Sequence, residues 1–261
     1  GGGVKAVGGR RRQPALWRES MMKPNAELSK LPEADYRDYA YALVKGAISS
    51  IPIPFVPGIA SEVFALLFNQ PLSKRREEWM VAVAEGLVEL KEKVEGFSLE
   101  ALSENDAFVT TVLQATTCAM RNHQQDKLEA LRNAVLNSAL PNAPEDDVQL
   151  IFLDLVDTLT AWHLRVLQLF DDPVRWAEKN QRPFPKDWYT SGTRQVLDYA
   201  FPELTGKGEL TGKIIQDLGR YGLAEIPGGM MTARGALESR TSNFGRQFLQ
   251  FIATPRQLGG A

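Results

Sequence analysis

Apolar residues recur every three or four positions along most of this chain, which is the period of an amphipathic helix. PEADYRDYAYALVKGAI (residues 32–48) reads as a first helix, with proline and acids in its opening turn. A Pro-rich corner, ISSIPIPFVPG, leads to a short apolar helix over about residues 60–68, which NQP ends. In LSKRREEWMVAVAEGLVELKEKVEG, Met80, Val83, Leu87, Leu90 and Val94 fall on one face. Glu89 and Lys93 form an outward pair four apart. Ser103 is placed to cap the next helix, which starts at ENDAFVTTVLQATTCAM. Residues 124–140 follow, with Leu128, Leu131 and Val135 on one side and Pro141 and Pro144 as stops. PEDDVQLIFLDLVDTLTAWHLRVLQLF is apolar nearly all round and reads as the single central helix of a bundle. No strand alternation occurs over residues 31–180, which predicts an all-α bundle of five or six helices. DDPVRWAEKNQRPFPKDWYTSG, rich in proline and aromatics, reads as a linker or domain boundary.

The pattern changes after Thr190. TRQVLDYAFPEL reads as a short helix, and GELTGKIIQDLGRYGLAEI as a second. Leu210, Ile214 and Leu218 share its inner face, and Gly222 stands in a C-cap position. IPGGMMTARGALESR reads as a β-hairpin, and TSNFGRQFLQFI as a last helix capped by Thr241 or Ser242. This order resembles the winged-helix proteins of the MarR type over about fifty residues. Leu218, Gly222, Leu223 and Gly245 match the pattern, and Ser242 stands where the pattern has Thr. With the periodicity of residues 31–180, this order predicts a mainly α protein: an N-terminal helical bundle plus a small α+β C-terminal module that the resemblance implies is winged-helix-like. The chain then divides into a flexible basic tail (1–30), an all-α helical bundle (31–180) and the winged-helix-like module (181–261).

In the DNA-binding reading, Thr211, Lys213, Gln216 and Arg220 face a major groove. Arg234 and Arg240 lie on the wing, near phosphates. Glu209 and Asp217 on the same helix oppose that reading, and Gly212 weakens the helix by about 1 kcal/mol relative to Ala. The alternative is a winged helix used for packing or protein contact.

The formal net charge of -2 on 261 residues argues against a chain that coats nucleic acid with its whole surface. The charge is uneven. Residues 1–30 hold seven Lys and Arg against two acids, residues 31–180 thirteen against 23, and residues 181–261 ten against seven. An acidic body with basic ends fits a chain of several parts. Cys118 is the single cysteine, so no intrachain disulfide can form. A reducing cytosol is expected, with Cys118 as a buried small hydrophobe. No N-terminal stretch reads as a secretion signal. The glycine- and arginine-rich opening GGGVKAVGGRRRQPALWRES is set outside the fold.

Chemistry-bearing motifs are sparse. GKGELTGKI departs from a phosphate-binding loop in its glycine spacing, and Ile214 stands where Ser or Thr must reach magnesium. His123 reads as solvated, and His163 as a satisfied core histidine. Asp147, Asp154 and Asp157 share a face and read as solvated rather than metal-ligating. No cofactor, metal or catalytic residue is assigned, although a site assembled from scattered residues leaves no local motif.

Residues 46–70 carry one charge, Glu62, and are long enough to span a bilayer. Pro52, Pro54 and Pro57 each remove an N–H donor, which excludes a single spanning helix in lipid. Two readings stand for residues 48–68. One is an insertion hairpin with Ile53, Phe55 and Val56 as membrane or partner contacts. The other is an apolar corner packed under neighbouring helices. GAISSIPIPFVPGIASEVFALLFNQPLSKRREEW, with AFVTTVLQAT and KLEALRNAVLNSAL, resembles in layout the bacterial abortive-infection alpha group, over about residues 35–175. That resemblance implies a bacterial origin and a role in phage defence, and carries over no site residue. The leading expectation is a non-enzymatic cytoplasmic interaction protein with a protein partner or self-association. The alternatives are a DNA-binding regulator and a membrane-associated effector. Co-flotation with anionic liposomes separates them. An insertion hairpin keeps the protein afloat at high salt, and Phe55→Asp abolishes flotation with the fold intact. A core corner leaves the protein at the bottom at every salt, and Phe55→Asp unfolds it.

Overall fold

The computed structural model describes residues 70–185 and 187–255, with Tyr41 and Lys45 as two further helical positions. The rest of the expected first helix and the corner at 48–68, with Ile53, Phe55 and Val56, lie outside the described residues. The described residues form eleven α-helices and one two-stranded antiparallel sheet.

Helix α1 (Gln70–Lys93) buries Met80, Val83, Leu87 and Leu90, and also Trp79, Ala84 and Val88. Its buried face is wider than the predicted stripe because other helices flank it. Glu89 and Lys93 pair at 3.8 Å on the outside. Short α2 (Leu99–Ser103) precedes α3 (Asp106–Arg121). The cap of α3 is Asn105, not Ser103: the Asn105 side chain accepts from the Phe108 N–H at 3.0 Å. Ser103 closes α2 instead, donating to the Glu100 carbonyl. Asparagine caps as well as serine, so spacing alone does not choose between them. Helix α4 (Gln125–Ser138) buries Leu131 and Val135, and Leu128 is half-buried.

The expected single central helix is two helices, α5 (Asp146–Thr158) and α6 (Ala161–Asp171). The break falls at Leu159 and Thr160, both in extended backbone. No proline or glycine causes it. Thr160 takes the N-cap of α6, and its N–H donates to His163 Nδ1 at 3.1 Å. A side chain that bonds the backbone competes with helix continuation. Both pieces bury an apolar stripe, so the hydrophobic period runs through the break unmarked. The buried Lys127 ammonium donates to the Asp157 carbonyl at 2.7 Å, closing the last turn of α5.

The expected linker is also structured. Asp172 caps α7 (Pro173–Lys179), with Pro173 in its first turn, where a missing N–H costs nothing. Most aromatics of this segment stack, and Tyr189 alone of them projects. Trp162 and Trp176 each meet Phe201 edge-on at 5.5 and 5.4 Å, and Phe184, Trp188 and Tyr199 form a second group.

Strand β1 (Thr190–Gly192) leads into α8 (Thr193–Ala200), then a 3-10 turn (Pro202–Leu204) and α9 (Gly208–Arg220). Strand β2 (Met230–Thr232) leads into α10 (Ala233–Ala236) and α11 (Asn243–Ile252). The expected hairpin within IPGGMMTARGALESR does not form. Instead β2 pairs with β1, Ser191 opposite Met231, and the chain then turns into α10. The Thr232 hydroxyl accepts from the Gly235 N–H, and that cap starts a helix where a returning strand was expected.

One continuous core runs from Trp79 on α1 to Ile252 on α11. Phe152 of α5 is its joint, lying 5.1, 5.5 and 5.6 Å from the rings of Phe244, Phe248 and Phe251. The C-terminal carbonyls of α11 are met by α4. Asn133 donates to the Ile252 oxygen at 3.1 Å, and Asn137 to the Phe251 and Ala253 oxygens at 2.8 Å. Those carbonyls have no partner within their own helix. Phe152→Ala is expected to lower stability by about 3–5 kcal/mol, read from urea denaturation.

Candidate interaction face of the C-terminal module

Helix α9 is set by its buried residues Thr211, Ile214 and Leu218. It ends at Gly222, whose φ of +67° is the left-handed conformation that closes such a helix. The Leu223 N–H then bonds the Leu218 carbonyl at 2.9 Å, and the Leu223 carbonyl accepts from Ser242 at 2.9 Å. Ala224 and Thr241 form an antiparallel bridge beside it. Ser242 caps α11 by accepting from the Gly245 N–H, and its hydroxyl donates to the Gly222 carbonyl at 2.6 Å. A Cβ on Gly245 would stand 2.1 Å from the Leu223 oxygen. Leu218, Gly222, Leu223 and Gly245 therefore meet at one junction, with Ser242 as its cap.

Lys213, Gln216 and Arg220 stand exposed along one side of α9, at spacings of three and four. Lys213 pairs with Asp217 at 2.6 Å, and this hydrogen bond is the main cause that holds the Asp217 carboxyl below its usual range. Thr211 does not face outward: it is 1% exposed, and its hydroxyl donates to the Lys207 carbonyl at 2.9 Å. Leu210, expected inside, is 43% exposed. A threonine whose hydroxyl bonds its own helix can be buried, and that shifts the inner face by one residue. Arg234 is exposed on α10. Arg240 turns inward rather than toward a phosphate, donating to the Gly235 carbonyl at 2.5 Å and lying 3.8 Å from Glu238.

Beside this helix lies a cavity of about 500 Å3, which sequence reasoning did not find. Ile215, Ile226, Pro227 and Met230 give it apolar walls, and Thr193 and Arg194 lie at the start of α8. The Thr193 hydroxyl donates to the Pro227 carbonyl at 2.6 Å and fixes the loop. Arg194 forks onto both carboxylate oxygens of Asp198 at 3.1 Å. Met230, on the cavity wall, is 72% exposed, and Tyr189, just before β1, is 88% exposed. The only signal for these in the sequence is a methionine pair after two glycines and a tyrosine before TSG.

Elsewhere, His163 is buried as expected and bonded at both ring nitrogens. Cys118 is buried, and that burial pushes its thiol upward, with the Asp157 charge adding to it. Asp154 accepts from Gln114 at 2.6 Å, and Asp157 from Arg121 at 2.8 Å. Among the described residues, no three His, Cys, Asp or Glu side chains are grouped to hold a metal ion. No described helix is long and apolar enough to cross a membrane. No known family model, curated protein or solved structure matches the chain.

Two glycine substitutions test the junction. Gly245→Ala is expected to lower stability by about 3 kcal/mol or more, because the obstructing atom is backbone. Gly212→Ala, with open space around it, is expected to raise stability by about 1 kcal/mol. Urea denaturation of both variants reads the difference.

Proposed function

We propose that this chain is a non-enzymatic bacterial interaction protein, a defence component of the kind its layout resembles. Its C-terminal part acts as a winged-helix-like contact module, and the partner is a protein or a second copy of the chain. The observation that supports this reading is the strong exposure of Met230, which lines a mostly apolar cavity, and of Tyr189, just before β1 on the same small sheet. Tyrosine and methionine are enriched at protein interfaces, tyrosine as a large amphipathic ring and methionine as a polarisable side chain that adapts to its partner.

Co-expression of a tagged and an untagged copy in the presence of candidate bacterial partners tests the face. Specific retention is expected to be lost in the Tyr189→Ser, Met230→Ser double variant with helical content unchanged. Retention equal to that of the parent chain contradicts it. A second reading, DNA binding, is favoured by the shared exposure of Lys213, Gln216 and Arg220 on α9. It requires duplex binding that weakens with salt, and a salt slope that falls by about one for each of Lys213→Ala and Arg220→Ala.

A further inference from the structure

His163 joins three parts of the molecule. It sits in the first turn of α6, it is 7% exposed, and it faces α9. The Thr160 N–H donates to its Nδ1 at 3.1 Å, and the Thr160 hydroxyl lies 2.8 Å from the same atom. A backbone N–H needs a lone pair, so Nδ1 is unprotonated and the ring proton sits on Nε2. That Nε2–H points to Asp217 Oδ2 at 3.4 Å, while Asp217 Oδ1 holds Lys213 at 2.6 Å. The one imidazole thus caps the break between α5 and α6 and shares with Lys213 a carboxylate on the outer helix, each holding its own oxygen.

We propose that His163 is an acid-sensitive latch: a proton taken at Nδ1 uncaps α6 and draws Asp217 away from Lys213, freeing positive charge on the outer face of α9. The proton comes from solvent, and no other covalent bond changes. The charged groups acting on the ring are Asp217 and Lys213 from α9 and Lys127 from α4. Burial holds the imidazole below its ordinary range, Asp217 favours the proton, and the two lysines oppose it. The stability that depends on neutral His163 is therefore complete above the unfolded value, about pH 6.5, and is lost as pH falls toward the lower folded value.

The chain has two histidines, so the imidazole resonances of the whole protein can be followed separately by NMR. The His163 signal is expected to titrate only below the ordinary histidine range. The amide signals of Thr160 and Lys213 should move with the same midpoint, and exchange protection in the first turn of α6 should fall about fivefold. His163→Gln supplies the control that folds. A glutamine three residues after a threonine cap accepts the same Thr160 N–H and takes no proton. This variant is expected to keep the fold at neutral pH and to lose the acid response. Amides of Thr160 and Lys213 that ignore the His163 midpoint overturn the proposal, as does an undiminished acid response in His163→Gln.

Discussion

The carbonyl oxygen of Leu223 rests against Gly245, where a side chain would stand 2.1 Å away. That approach fixes where α11 begins. Ser242 can then cap the helix and bond back to the Gly222 carbonyl in the same turn. At its other end, Asn133 and Asn137 of α4 hold the last carbonyls of α11. Between the two ends, Phe248 and Phe251 close over Phe152. A helix tied at both ends to different parts of the chain leaves those parts little freedom to separate.

The consequence is that the C-terminal helices pack into the same core as the helices before them. Helix α9 leans on α6 through His163 and Asp217, and the Ala224–Thr241 bridge sits directly against the start of α11. His163 and Lys213 share one carboxylate, which links a buried imidazole to the outer surface of α9.

Much of the helical framework was legible in the sequence. The inner residues of α1 and α4 follow a helical period, Gly222 marks the end of α9, and Ser242 was one of two caps named for α11. Features that depend on contacts distant in sequence were not legible. Strands of three residues are too short to show alternation, and β1 finds its partner some forty residues on, across two helices. The break at Thr160 is made by a histidine serving as a capping acceptor, a role that glutamate or glutamine ordinarily fills. Thr211 went inward and Leu210 outward because a polar label hid a hydroxyl satisfied within the helix. Of the residues named for DNA, Lys213, Gln216, Arg220 and Arg234 are exposed, whereas Thr211 and Arg240 are engaged inside.

The helices before and after Thr190 are expected to unfold as one cooperative body joined through α11. Native-state hydrogen exchange across a denaturant series measures this directly. The amides of α4, α5 and α11 are predicted to open with a common free energy and a common denaturant dependence. Exchange of α11 through a separate, lower-energy opening, with α4 and α5 still fully protected, would contradict the account.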